Sequence, residues 1–286
     1  MVGTEEYTGE LDLGVALRPG PGAQPRSVAT HQYHRGALSV LRPHYLDDSG
    51  QAMYTVLNPG GGFLGGDSYR LGVRVAQGAS LLLSGQSATK VYRSPQGPAT
   101  QDMRVCLAEG AVLEYVPDQL IVYREGRYRQ RMMVTMHPGS SLLLTDIVTP
   151  GWAPDGSTFG WRELSLRTEV RCAGRRLAVD HLRLLPGEGV TGLGHMEGYT
   201  HAGTLMAADR GLNAEVMAEI AALVYAEGHT RSGISRLVEA PGLPTGFVVR
   251  SLAHSTGAIR DLHLALAALL RARLRGQGPI EMRKYQ

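Results

Sequence analysis

Three segments of the chain carry one alternation of apolar and polar positions. Val73-x-Val75-x-x-Gly78-x-x-Leu81-x-Leu83 is followed by Val105-x-Leu107-x-x-Gly110-x-x-Leu113-x-Tyr115 and by Val134-x-Met136-x-x-Gly139-x-x-Leu142-x-Leu144. Their glycines stand 32 and then 29 residues apart. A period of two on both arms is a strand signal, and the glycine between the arms marks a tight turn. A looser fourth copy surrounds Gly174, with Val170 before it and Leu177 and Val179 after it. Self-similarity at this period predicts a mainly β fold of stacked hairpins, each completing its neighbour's core in β-helix-like, solenoid-like layers. An ordinary β-sandwich built from similar hairpins is the competing arrangement.

The period lengthens to 3.6 only late in the chain. Leu212, Val216, Ile220, Leu223 and Val224 predict one helix, which Gly228 can stop, and Ile259, Leu262, Leu266, Leu269 and Leu270 predict another. Asp261 near the start of the second helix, and Arg271, Arg273 and Arg275 near its end, suit the helix dipole. Gly246–Ala253 between them reads as a strand. The expectation is a single domain over 1–286. Residues 27–205 form its β-rich stack, 206–286 a small mixed α/β portion with about two helices, and 1–26 a partly flexible arm. Within that arm residues 19–25, Pro-Gly-Pro-Gly-Ala-Gln-Pro, are turn-rich.

The most constrained stretch is Asn58-Pro-Gly-Gly-Gly-Phe-Leu-Gly-Gly-Asp67, with five glycines between Gly60 and Gly66. Such a cluster implies unusual φ angles or a close backbone approach. Gly60, Gly62 and Gly65 fit G-x-G-x-x-G, but a dinucleotide fold needs a helix after the glycines and an acid some 20 residues on. Here Ser68–Val75 alternates like a strand, and residues 79–100 hold no acid. A Walker loop is missing its Gly-Lys-Ser/Thr end. A glycine turn between two strands is the simpler reading.

Composition narrows the classes. A net charge of +3 and only three Phe argue against a nucleic-acid surface. Cys106 and Cys172 form no C-x-x-C and no disulfide framework, which suits a reducing cytosol. The polar, acidic N-terminal stretch carries no signal-peptide pattern. Leu262–Leu270 is too short an apolar run to cross a bilayer.

Several residues invite chemistry. Ser87-Ala-Thr-Lys90 matches S-x-x-K of penicillin-binding enzymes, but S-D-N and K-T-G are both absent. His31 and His34 would point to opposite faces of a strand, and no H-E-x-x-H supports a tight metal site. Met132, Met133 and Met136 read as packing. The carboxylates are more telling. Asp146 shares strand parity with Leu142 and Leu144, and Asp180 with Leu182 and Leu184, so both are expected to point inward. An ionised carboxylate in a dry core is costly unless paired. These acids therefore meet Lys90 or an arginine, or they line a wet internal passage.

Together these segments resemble the UreD (UreH) family of urease accessory proteins. Residues 58–67 resemble its Pro-Gly-Gly-x-x-Gly-Gly-Asp signature, and Thr89-Lys90-Val91-Tyr92-Arg93-Ser94 resembles its Lys-x-Tyr-Arg-Ser signature. Arg42-Pro43-His44-Tyr45, Leu113–Pro117 and Leu142–Asp146 fall where the family has similar segments, and the likeness runs from about Arg35 to the end. Asn58-Pro59 replaces the common Pro-Pro, and Met282-Arg283-Lys284-Tyr285 the common Pro-Arg-Ile-Trp. The resemblance implies a non-enzymatic cytoplasmic scaffold that binds nickel-free urease with UreF and the GTPase UreG. It implies an internal tunnel conducting nickel to the urease active site, with GTP hydrolysis belonging to UreG. Family tunnel positions fall on Asp67, Thr89, Asp146 and Asp180, where relatives can carry Ser for Thr89 and Glu for Asp180. They imply a transient nickel path with no tightly bound cofactor and no catalytic residue. Gly60, Gly61, Gly62, Gly65, Gly66, Lys90, Tyr92 and Arg93 are its structural signature. Neither nucleic acid nor membrane is expected as a partner. The runner-up is a serine hydrolase using Ser87 and Lys90. A dinucleotide oxidoreductase comes third and requires a helix directly after Asp67.

Overall fold

A computed structural model describes residues 7–19, 25–186, 189–226 and 228–281. In chain order the strands are β1 (Gly9–Pro19), β2 (Pro25–Gly36), β3 (Ser39–Val40), β4 (Ala52–Leu57), β5 (Ser68–Val75), β6 (Ser80–Gly85), β7 (Thr89–Val91), β8 (Ala99–Leu107) and β9 (Val112–Tyr115). They continue with β10 (Leu120–Val122), β11 (Arg127–Met136), β12 (Ser141–Val148), β13 (Glu163–Cys172), β14 (Arg175–Leu184) and β15 (His201–Asp209). Helix α1 (Ala214–Ala226), β16 (Arg231–Arg236), β17 (Thr245–Ala253) and helix α2 (Thr256–Arg275) complete the order.

The repeat sets the architecture. The first arms β5, β8, β11 and β13 run parallel, so that Val73, Val105, Val134 and Val170 stand side by side. The second arms β6, β9 and β12 also run parallel, and Leu81, Leu113 and Leu142 line up in the same way. The chain is thus mainly β and coils as a solenoid, as the repeat predicts. The arms of one unit are not hairpins, however. They belong to two facing sheets, one of seven strands (β14-β13-β11-β8-β5-β1-β2) and one of ten (β16-β17-β15-β12-β9-β6-β4-β3, with β7 and β10 alongside). In-register parallel stacking brings like positions together, and each glycine turn carries the chain from one sheet to the other. Gly78 and Gly110 sit at φ 67° and 66°, where a side chain would be strained. The turns also stack, the Gly78 amide donating to Glu109 O at 3.0 Å. Only the fourth copy is a true hairpin: β13 and β14 pair antiparallel, with a bulge after Val170.

A short third wall closes the coil. Phe63 bridges Val91, β7 pairs β10 in parallel, and Tyr123 bridges Trp152. Within the expected arm over 1–26, Gly9–Pro19 is instead strand β1, paired between β2 and β5, while residues 1–6 and 20–24 lie outside the described residues. Leu11, Leu13 and Val15 meet Leu71, Val73 and Val75, which is what draws the segment in.

The ten-stranded sheet is buried on both faces. Leu81 and Leu83 face the inner core, whereas Leu82, Leu143, Phe247 and Val249 face α1 and α2. Consecutive buried leucines, rather than strict alternation, are the pattern of a strand covered twice. Both helices occupy their predicted places. Ser255 caps α2 by accepting from the Ala258 amide, and Gly276 ends it at φ 63°. Leu262, Leu266 and Leu270 of α2 are buried, each stabilising by about 1.5–3 kcal/mol. The dipole reading of its charges holds for Arg273 and Arg275, which lie in the last turn, and is corrected for the other two. Asp261 lies beyond the first turn beside Arg260, and Arg271 turns inward. Arg271 is fully buried, bonds Glu114, and donates to Gln51 Oε1 at 2.7 Å, Asp47 Oδ2 at 3.1 Å and Gly278 O at 2.6 Å. Arg275 binds the other oxygen of Glu114. Among the described residues no helix is long and apolar enough to cross a membrane.

Candidate functional site

The glycine loop and the β7 segment are one local structure. The Phe63 amide donates to Lys90 O at 2.8 Å, and the Tyr92 amide to Phe63 O at 2.9 Å. A Cβ on Gly62 would stand 2.6 Å from the Tyr92 ring and 2.8 Å from Lys90 O, and one on Gly65 would stand 2.6 Å from the Ser94 Cα. The loop is glycine-rich because another stretch of chain lies against it. Gly65→Ala is expected to lower stability by about 1–3 kcal/mol through this overpacking; thermal melting measures it, and an unchanged midpoint would contradict the contact. Gly60, Gly61 and Gly66 complete the turn. Tyr92 reaches back to Gly61 O at 3.3 Å, and Arg93 stands exposed beside it.

Asp67 closes this loop. Its carboxylate accepts from the Leu64 amide at 2.7 Å, from Tyr69 Oη at 3.1 Å and from Thr8 Oγ1 at 3.3 Å. Strand β5 begins at the next residue, so the helix that a dinucleotide reading requires is absent there. Ser87 is an exposed loop residue, Lys90 lies within β7, and no helix carries the pair. The serine-hydrolase reading finds no support.

Thr89 lines a cleft of about 80 Å³ together with Asn58, Gly62 and Lys90, and its inner end reaches Gln101 and Tyr115. From there a file of polar side chains continues into the coil. Gln101 Nε2 donates to Gln130 Oε1 at 3.4 Å, and Tyr128 Oη donates to the same oxygen at 3.1 Å. Gln130 in turn hydrogen-bonds Asp146. Asp146 holds its proton up to about pH 7, because burial disfavours the anion and Asp180 adds negative charge, partly offset by Gln130. Asp180, which sits opposite Thr168, is ion-paired with Arg250 of β17. Burial, and then the nearby Asp146, push the Tyr115 phenol upward, so it stays a neutral donor. Asp67 joins the file through Tyr69, whose hydroxyl also meets Asn58.

The structure therefore links the four sequence-derived positions by hydrogen bonds and proximity, with Asp146 and Asp180 adjacent and Asp67 at one side. Strand parity missed the connecting residues Tyr69, Gln101 and Gln130. They were detectable: all three stand four residues before Val73, Val105 and Val134, at one repeat position. Extending the repeat upstream would have shown polar groups on a core-facing track. Arg250 had no such signal, since only the fold of β17 brings it to Asp180. Met132 and Met136 pack in the core, and Met133 is exposed. Among the described residues no three His, Cys, Asp or Glu side chains converge to hold a metal ion tightly. An oxygen-lined file of this kind offers a divalent cation weak, sequential contacts rather than a closed cage.

Comparison with known proteins agrees across the chain. The family model described as UreD urease accessory protein matches residues 7–286. The chain is similar to the urease accessory protein UreD of Arthrobacter sp. (50% identity, covering 100% of this chain and 97% of that one). It is also similar to UreD of Kocuria rhizophila (48%, covering 98% and 90%) and of Actinomyces naeslundii (48%, covering 97% and 99%). Match length and identity together leave one assignment: the chain belongs to the UreD family of urease accessory proteins.

Proposed function

We propose that this protein is a scaffold of urease maturation that conducts nickel through its own interior. In this reading it binds nickel-free urease together with UreF and the GTPase UreG in the cytoplasm. UreG supplies GTP hydrolysis, and this chain contributes docking surfaces and a passage but no bond-making chemistry. One observation carries the reading: within an otherwise apolar coil, polar side chains lead from the Thr89 cleft through Gln101 and Gln130 to Asp146, with Asp180 beside it. Nickel is the cargo here. Asp146 and Asp180 attract it, and the neutral amides of Gln101 and Gln130 bridge the stretch between the cleft and the acids. Carboxylate and amide oxygens release a borderline cation more readily than thiolates do, which a delivery route requires.

Replacing Asp146 with Leu tests the passage. The variant keeps strand parity and removes the carboxyl oxygens, so folding and co-purification with urease and UreF are expected to persist. Nickel delivered to urease is expected to fall by about tenfold or more, the scale on which groups supporting a metal site act. Normal nickel content in the co-purified urease would rule out the passage. Failure to co-purify at all, in the wild type, would rule out the scaffold.

A further inference from the structure

The two sheets are finished differently. Helices α1 and α2 cover the outer face of the ten-stranded sheet, whereas the corresponding face of the seven-stranded sheet carries exposed side chains. On that face β5, β8, β11 and β13 lie side by side and set out three rows. The first reads Arg70, Asp102, Arg131, Arg167; the second Gly72, Arg104, Met133, Glu169; the third Arg74, Cys106, Thr135, Arg171. Neighbours in a row are about 4.8 Å apart, as the strand spacing dictates.

These rows concentrate charge. The three rows hold six arginines against two acids, Asp102 and Glu169, with Glu10 and Asp12 of β1 at their edge. Internal neutralisation is incomplete. Glu169 is buried beneath Arg167, Arg171 and Arg176, one carboxylate shared by three guanidinium groups. Arg70 and Arg74 reach the acids of β1 only at 3.8 and 3.9 Å. Among the described residues Arg104 and Arg131 have no ion-pair partner. The basic side chains are arginines rather than lysines; Lys90 and Lys284 are the only lysines in the chain. Arginine is the cation whose planar fork engages carboxylates in pairs.

We propose that this bare face docks an acidic protein surface. The regular ranks of guanidinium groups match carboxylates presented at similar spacing, and Met133, 38% exposed at the centre of the rows, supplies an apolar contact point. A nucleic acid fits less well, because the rows carry no aromatic ring on which a base can stack. The inference concerns the outer face of the strands whose inner face carries Gln101 and Gln130, and it does not depend on the nickel reading.

The test uses the full chain with fluorescently labelled poly-L-glutamate as probe and a short DNA duplex as competitor, read by anisotropy over a salt series. Poly-L-glutamate is expected to bind, with affinity falling as salt rises. In the Arg104→Glu/Arg131→Glu variant it is expected to bind at least about tenfold more weakly. An Arg236→Glu/Arg260→Glu variant, which changes net charge equally on the helix-covered side, is expected to keep wild-type affinity. Equal loss in both variants would reduce the effect to overall charge and overturn the proposal. DNA binding tighter than poly-L-glutamate would reassign the face to nucleic acid, and absence of binding would remove the docking role. The Arg104→Gln/Arg131→Gln variant, with unchanged melting, guards against loss through misfolding and is expected to show an intermediate affinity.

Discussion

Arg271→Met is expected to destabilise the protein by about 3–5 kcal/mol, the range for removing one member of a buried ion pair. Its guanidinium is fully buried, and it gathers Glu114, Gln51, Asp47 and the Gly278 carbonyl. Methionine preserves the stem and removes every donor. Glu114, itself 0% exposed, keeps Arg275 and the Gln51 amide, which places the loss toward the lower end. At roughly 2–4 °C per kcal/mol for a chain of this size, the melting temperature falls by at least about 6 °C. Adding Glu114→Leu is expected to restore part of the loss, because the buried carboxylate that has lost one of its two arginines goes too. Arg275 is partly exposed and can turn to water. A single variant that melts with the wild type would show that α2 is held by its apolar face alone.

His263→Leu is expected to act in the opposite direction and to change the acid limb of the stability curve. His263 lies on α2 and is 2% exposed, and neither ring nitrogen has a hydrogen-bond partner. Burial alone lowers its pKa to about 3. Folding therefore selects the neutral ring. The unfolded chain takes up the proton below about pH 6.5 and the folded chain does not. The contribution is fully present above that pH. It is lost at about 1.4 kcal/mol per unit as pH falls toward 3. Leucine has no such term, and it also removes two unsatisfied polar atoms, a gain of about 1–3 kcal/mol at neutral pH. The variant should thus be more stable at pH 7, and its advantage should widen by about 2 kcal/mol at pH 5. Parallel denaturant curves at the two pH values measure it; a constant gap would mean that the ring is protonated in the folded state.

Much of this fold was legible in the sequence, and the reasons are local. Val73, Val105 and Val134 announced both the strands and their register, because a parallel stack aligns like positions. The partner of each arm was not legible. A strand, a glycine turn and a second strand look the same whether the arms pair with one another or cross to an opposite sheet. Strand β1 was hidden by the glycine and proline that flank it, and its place depends on β5, far along the chain. In the site, parity put Asp146 and Asp180 on the inner side. Arg250 could not be foreseen, since it reaches Asp180 from a strand 70 residues away.

The clasp at Arg271 has a consequence for synthesis. Arg271 meets Gln51 across 220 residues of chain, so the cover of the outer face of the ten-stranded sheet, begun by α1, is incomplete until the last helix leaves the ribosome. At about 5–20 residues per second, the stripe of Leu82, Val116 and Leu143 waits tens of seconds for α2. A nascent or truncated chain therefore displays a sticky leucine surface that the finished protein hides. Chains cut short before Thr256 belong with the aggregates and the chaperones rather than in solution.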